Sequence, residues 1–291
     1  MRNSIQAQEL IRHRNRGAVK VIAVASGKGG VGKTNVAANL AIALATMDRN
    51  VMLLDADVSL ANVDVLLGLQ PRFNLSHLVS GETDLASTIV EGPGGVRIIP
   101  GSSGDFSMTD LPSASHAAII NAFGELVLQP DTLIVDTSAG ISQNVARYVQ
   151  AAQECVVVVC DEPSSITDAY ALIKVFSRNY GIRRFQVVTN QTISNHDGRQ
   201  LFAKISRVAE LYLDVVLRHL GSVPHDGYLK KSVQEQRAVV EAYPKSASGQ
   251  AFLELARKLD QLPLQEDASG GIQFFFERIL ASGREAGGCY A

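Results

Sequence analysis

One ten-residue stretch, "SGKGGVGKTN" from Ser26 to Asn35, concentrates residues that can do chemistry. Gly27, Gly32, Lys33 and Thr34 fit G-x-x-x-x-G-K-[ST] without a mismatch. Glycines at such spacing let backbone N–H groups converge on phosphate oxygens with no side chain in the way. A helix that begins there turns its positive end toward the anion. Lys33 is the cation for β- and γ-phosphate charge, and the Thr34 hydroxyl suits Mg²⁺. Asp136 closes the apolar run "TLIVD" and stands where an acid holds the Mg²⁺ shell. A rival pattern uses the same letters. Gly27, Gly29 and Gly32 spell G-x-G-x-x-G, and Asp55 ends the next apolar run, as a dinucleotide site requires. That reading has no use for Lys33 and Thr34 and leaves Asp136 unexplained. The plainest alternative is a glycine-rich turn in a βαβ unit. None of these accounts for Lys28, a second lysine at the start of the glycine run.

Such a loop needs a strand before it and a helix after it. Continuous apolar runs supply strands: "VKVIAVAS", "VMLLD", "VRIIP", "TLIVD", "CVVVVC", "FQVVTN" and "VVLRHLGSVP". Unbroken hydrophobicity is what a strand requires when helices cover both faces of its sheet. Helical periodicity lies between them, in Val36, Leu40, Leu44 and Met47, in Ile166 to Tyr180, and in Leu201 to Leu213. The alternation predicts an α/β fold, a mostly parallel sheet flanked by helices.

Bulk properties narrow the class. The chain has 291 residues, 46% hydrophobic and 19% charged, with a formal net charge of -2. This composition fits a globular protein with a sizeable core and carries no overall pull toward nucleic acid. Cys155, Cys160 and Cys289 form no CxxC pair and no zinc spacing. Cys155 and Cys160 flank a valine run five residues apart, which points them to opposite faces of a strand. No signal-peptide core and no membrane-spanning run is present, so a cytoplasmic location is expected. The expected division is a basic arm (1–17), a body carrying the phosphate loop (18–263), a polar connector (264–271) and a last segment (272–291). In that segment Ile272, Phe275, Phe276, Ile279 and Leu280 fall on one helical face.

"KGGVGKT", with its early lysine, resembles the deviant phosphate loop of the MinD/ParA class of P-loop ATPases. Other segments agree in order over about residues 19–245. "LLDADVSLANVDVLLGL" resembles the first switch, "LIVDTSAGIS" the acid and second switch, "VVTNQT" the base-binding strand end, and "GSVPHDGYLKKSVQEQRAV" the segment closing over the base. Within the class the chain resembles the flagellar-number regulators of the FleN/FlhG family, by its MinD-like body, N-terminal extension and C-terminal aromatic helix.

The resemblance implies a three-layer fold, ATP and Mg²⁺ as ligands, and a homodimer held together by ATP. Gly29, Gly30, Val31, Gly32, Lys33, Thr34 and Asn35 would hold the phosphates. Asn35 stands where the class usually has a second threonine, and its amide can still donate to a phosphate oxygen. Lys28 would reach the nucleotide of the partner subunit, and Asp57 would orient the attacking water. Thr34, Asp55 and Asp136 would serve Mg²⁺. Asn190 would read the base, and Pro224, His225 and Asp226 would line it. Asn190 could instead cap a turn and Asp57 the next segment.

The resemblance implies slow regulatory ATP hydrolysis and a partner, the flagellar transcriptional activator FleQ, whose activity is restrained. The alternatives are a MinD-like cell-division regulator, a ParA-like DNA-segregation ATPase and an iron–sulfur carrier. The ParA reading needs a basic face, for which Arg183, Arg184, Arg199, Lys204 and Arg207 are candidates; direct DNA binding is not expected. The cysteine positions argue against an iron–sulfur carrier. Residues 272–282 resemble a membrane-targeting helix, hidden in the monomer and freed in the ATP dimer, which would make the protein peripheral at the inner membrane. A helix docked permanently on the body is the alternative. "QAQEL" (6–10) resembles a motif that stimulates the GTPase FlhF, with Gln6, Ala7 and Leu10 matching, Ile5 in place of an Asp, and Arg12 one place late.

Overall fold

The computed structural model describes residues 19–57, 61–102, 120–126, 128–263 and 272–285. The N-terminal arm with its QAQEL segment, the connector 264–271 and Cys289 lie outside the described residues.

Eight strands of the described residues form one sheet in the order β3-β4-β2-β5-β1-β6-β7-β8. They are β1 (Lys20–Ser26), β2 (Val51–Ala56), β3 (Val90–Glu91), β4 (Arg97–Ile99), β5 (Thr132–Ala139), β6 (Glu154–Cys160), β7 (Arg184–Thr192) and β8 (Val216–Pro224). All neighbours run parallel except β3 and β4. The helices are α1 (Lys33–Ala45), α2 (Val63–Leu66), α3 (Leu75–Ser80), α4 (Leu85–Thr88), α5 (Gln143–Ala151), α6 (Pro163–Tyr180), α7 (Asn195–Tyr212), α8 (Gly227–Gln234), α9 (Val239–Ala242), α10 (Ala247–Gln261) and α11 (Ile272–Glu285).

The unbroken apolar runs are explained by cover on both faces. Ile22 and Val24 of β1 face α1 and α10, while Ala23 and Ala25 face α5, α6 and α7. Cys160 belongs to the first face and Cys155 to the second, as their spacing predicted. Every β1 side chain is buried. Lys20, at its start, is accommodated because its ammonium donates to the carbonyls of Leu259, Asp260 and Leu262, at 3.0, 2.8 and 2.7 Å. These are the end of α10, where a cation complements the helix dipole. Met47, placed on the α1 stripe from sequence, lies past that helix: Thr46 caps it, and Met47 N–H turns back to Leu44 O.

The last helix is docked. Ile272, Phe275, Phe276 and Ile279 are buried in the apolar cluster that also contains Val21, Phe123 and Tyr148. The Phe276 ring stacks on Phe123 with centroids 3.9 Å apart. Arg278 donates to the Gln150 carbonyl of α5 at 2.8 Å. No helix of the described residues is long and apolar enough to cross a membrane.

Candidate nucleotide-binding site

Central strand β1 is flanked by β5 and β6, so its C-terminal end opens between two neighbours that cross over in different directions. That is where open α/β sheets bind ligands. The glycine loop leaves β1 there. Gly32, the residue before α1, has φ +86°, and Gly30 has φ +80°, both in the left-handed region. A side chain at Gly32 would collide with the Asn190 amide, and one at Gly27 with the Asp168 backbone of α6. The N-terminus of α1 has no side-chain cap and no acid in its first turn. Its first N–H groups therefore face the loop's cavity, an arrangement that suits phosphate.

The cavity measures about 610 Å³. Lys28, Gly29, Gly30, Gly32, Lys33, Thr34 and Asn35 line its floor, and Asp57 one wall. Val65 and Leu66 of α2 and Val233 and Gln236 around α8, from the two segments likened to the first switch and to the one closing over the base, form a mostly apolar lip. Gln236 bridges the lip by donating to Val65 O at 3.0 Å.

Strand register delivers the carboxylates. Asp55 on β2 is level with Asp136 on β5, and Asp136 is level with Val24 on β1. Lys33, nearly buried, lies 2.6 Å from Asp136 Oδ1 and 3.9 Å from Asp57 Oδ2. Burial pushes the Asp136 carboxyl up, against the pull of Lys33. Its Oδ2 is buried without a hydrogen-bond partner. An orphaned buried carboxylate oxygen beside the Thr34 hydroxyl and a second carboxylate is a hard-oxygen donor set of the kind Mg²⁺ takes. Asp55 has a further task. Its Oδ1 accepts the Asp57 N–H at 3.1 Å, and its Oδ2 accepts those of Asn62 and Val63 at 3.0 and 3.1 Å. It thus ties down both ends of the segment after β2. Burial, then the nearby Asp136 charge, pushes its carboxyl up to about 7.

Lys28 sits on the rim and is partly exposed. Its ammonium contacts Glu162 Oε2 at 2.6 Å and Ser164 Oγ at 2.9 Å, both at the start of α6. The hydrogen bond to Glu162 raises its pKa. Asn190 lies behind the loop. Its amide donates to Val31 O at 2.8 Å, and its buried Oδ1 has no partner. That acceptor suits the exocyclic amine of adenine. Pro224 is apart from these residues, on the edge of a second cavity of about 590 Å³ between α7 and α10. His225 is exposed, its N–H bonded to Thr192 O. Asp226 caps α8 through Tyr228 N–H at 2.9 Å and holds the start of α10 through Ser248 N–H and Oγ at 2.9 and 2.7 Å. The structure therefore brings the loop, Lys28, Lys33, Asp55, Asp57 and Asp136 together, sets Asn190 against the loop's back, and gives Asp226 structural bonds.

A ParA family model, described as NUBPL iron-transfer P-loop NTPase, matches residues 17–87. The chain is 52% identical over 262 residues to the antiactivator FleN of Pseudomonas aeruginosa, covering 90% of this chain and 94% of that one. It is 34% identical to the flagellum site-determining protein YlxH of Helicobacter pylori, covering 91% of each. The septum site-determining protein MinD of Pyrococcus horikoshii, solved with Mg-ADP, superposes with a TM-score of 0.65 at 25% identity, covering 84% of this chain and 96% of that one. The chain belongs to the MinD/ParA family of P-loop ATPases, in the branch of the antiactivator FleN.

Proposed function

We propose that this chain is an ATP-driven dimerising switch that regulates flagellar number by restraining the activator FleQ, with hydrolysis resetting the dimer. The 52% identity to an antiactivator over nearly the whole chain carries this reading. The likeness to a flagellum site-determining protein favours it over a cell-division role. Two candidate cations for a DNA-binding face are in ion pairs instead, Arg183 with Asp214 and Lys204 with Asp161. That weighs against the DNA-segregation reading.

Each residue takes a role. The loop N–H groups and the α1 N-terminus bind the phosphates, and Lys33 leaves Asp136 to neutralise β- and γ-phosphate charge. Thr34 and Asp136 would hold Mg²⁺, with Asp55 in support. Mg²⁺, when bound, supplies neutralisation of the charge that develops on the phosphate oxygens. Asp57 orients the water. Asn190 accepts from the base. Lys28 of the partner subunit completes the site, so ATP acts as the dimer's glue. The helix Ile272–Glu285 is the segment that would reach a membrane surface, and the arm at residues 6–10 the segment that would reach the GTPase FlhF.

The test uses two variants in analytical ultracentrifugation and pull-down. Asp57→Ala should bind ATP, stay dimeric and retain FleQ. Lys28→Ala should bind ATP yet remain monomeric and release FleQ. Dimerisation of Lys28→Ala with ATP would refute the role of Lys28 across the interface.

A further inference from the structure

The end of β5 carries a hydroxyl that the phosphate-loop chemistry does not use. Ser138 is half-buried, and its Oγ donates to Asp57 Oδ1 at 2.8 Å. The other Asp57 oxygen, Oδ2, is the one 3.9 Å from Lys33 Nζ. We propose that Ser138 is a positioning residue for ATP hydrolysis, holding the Asp57 carboxylate so that one fixed oxygen faces the γ-phosphate side of the cavity. This rests on the ATPase reading above.

Two observations beyond the contact itself support it. The first is that Ser138 is anchored on the sheet. Thr137, next to it, is fully buried and donates to Val24 O at 2.9 Å. Two residues on, Gly140 N–H donates to Ser26 O at 2.8 Å. The strand end that carries Ser138 is thus stitched to β1 and to the first residue of the loop that would hold the phosphates. Asp57 stands one residue past the end of β2, its N–H held by Asp55. The hydroxyl therefore transfers the position of a rigid element to the carboxylate of a loop residue. Catalytic groups lose their effect when misplaced by fractions of an ångström.

The second is the division of labour between the two oxygens. With Oδ1 accepting from Ser138, the rotation of the carboxylate is restrained and Oδ2 lies on the Lys33 side. In the step this serves, the water oxygen bonds to the γ-phosphorus as one of its protons passes to Asp57. The bond from the γ-phosphorus to the β–γ bridging oxygen breaks, and its electron pair leaves on ADP. Asp57 then gives up the proton, so that ATP and water yield ADP, phosphate and one proton.

Steady-state ATPase assays on the full chain test this, with dimer content checked by ultracentrifugation. Ser138→Ala should lower kcat by roughly tenfold to a hundredfold, the usual effect of losing one hydrogen bond to a charged group. KM for ATP and the ATP-dependent dimer fraction should not change. Ser138→Thr, which keeps the hydroxyl, should recover most of kcat. In an Asp57→Ala background, Ser138→Ala should cause no further loss. A wild-type kcat in Ser138→Ala, no rescue by threonine, or losses that multiply in the double variant would overturn the inference alone. A wild-type chain that binds ATP, dimerises and does not hydrolyse it would overturn the ATPase reading and this inference with it.

Discussion

The docked C-terminal helix sets a condition on any membrane role. Ile272, Phe275, Phe276 and Ile279, the apolar face that would enter lipid, are at most 2% exposed. The same side chains cannot lie in the body and in a bilayer at once. Substituting them would weaken both states, so the informative change is on the body, at Phe123. Its ring is fully buried and stacked on Phe276 at an interplanar angle of 21°. Truncating a buried phenylalanine to alanine costs about 3–5 kcal/mol, and an aromatic pair adds about 0.5–1.5 kcal/mol. Part of that loss falls on the body's own core, since Phe123 also packs in the cluster with Leu75 and Leu78. Phe276 keeps its edge contact with Phe275 at 5.2 Å. Assigning about 2 kcal/mol to docking raises the undocked population about thirtyfold. Sedimentation with vesicles of mixed zwitterionic and anionic phospholipid, without nucleotide, reads this out. Phe123→Ala should pellet more than wild type, and the gain should vanish when residues 272–291 are removed. A folded Phe123→Ala protein that pellets no more than wild type would refute the idea that docking withholds the helix. A gain that survives removal of the tail would trace binding to other exposed surface.

Two more outcomes follow from the site. Glu162→Gln removes the carboxylate that holds Lys28, so at limiting ATP the dimer fraction should rise. The pair is exposed, and a shift of roughly a few-fold is the scale to look for in ultracentrifugation; a falling fraction would mean that Glu162 supports the dimer instead. Asp55, pushed up to about 7, binds its proton in the folded state before it does so in the unfolded chain. Its contribution to stability therefore falls as pH rises from about 4 to about 7. Between pH 5 and 8 this amounts to about 2–3 kcal/mol in the nucleotide-free protein. Urea unfolding of Asp55→Asn should show a smaller drop over that range, and an equal drop would reject the assignment.

Much of the fold and loop was readable because the signals are local. Phosphate binding needs glycines, a lysine and a hydroxyl within eight residues, and covered strands need unbroken apolar runs. The helix Ala247–Gln261 was also legible, from Phe252, Leu255, Ala256 and Leu259 at i, i+3, i+4 and i+7, but no strand-like run drew notice to it. The partners of the site were not legible. Glu162 lies 134 residues from Lys28, and Ser138 lies 81 from Asp57. Nothing in the spacing of "DEPSS" or "DTSAG" announces a contact that only sheet order creates. Asp226, expected to line the base, also caps α8 with one oxygen and holds the start of α10 with the other, a role that a lone Asp beside Gly-Tyr-Leu fits. Apolar packing is specified by composition over many residues, whereas a catalytic pair depends on two.

The two lysines of the loop show how one set of charges can serve two states. Lys33 is paired with Asp136, and Lys28 with Glu162. Each cation that a nucleotide would recruit already has a carboxylate of its own chain. Phosphate binding is then an exchange of ion pairs, not the capture of an idle charge. The exchange differs between the two. Lys33 and Asp136 are buried, so separating them without compensation is costly, and a metal ion beside Asp136 would offset that cost. Lys28 and Glu162 are exposed, so their separation is cheap and reversible. Under the proposed switch that asymmetry would be useful: firm coupling between nucleotide and metal inside one subunit, and a weak tether on the lysine proposed to reach the other.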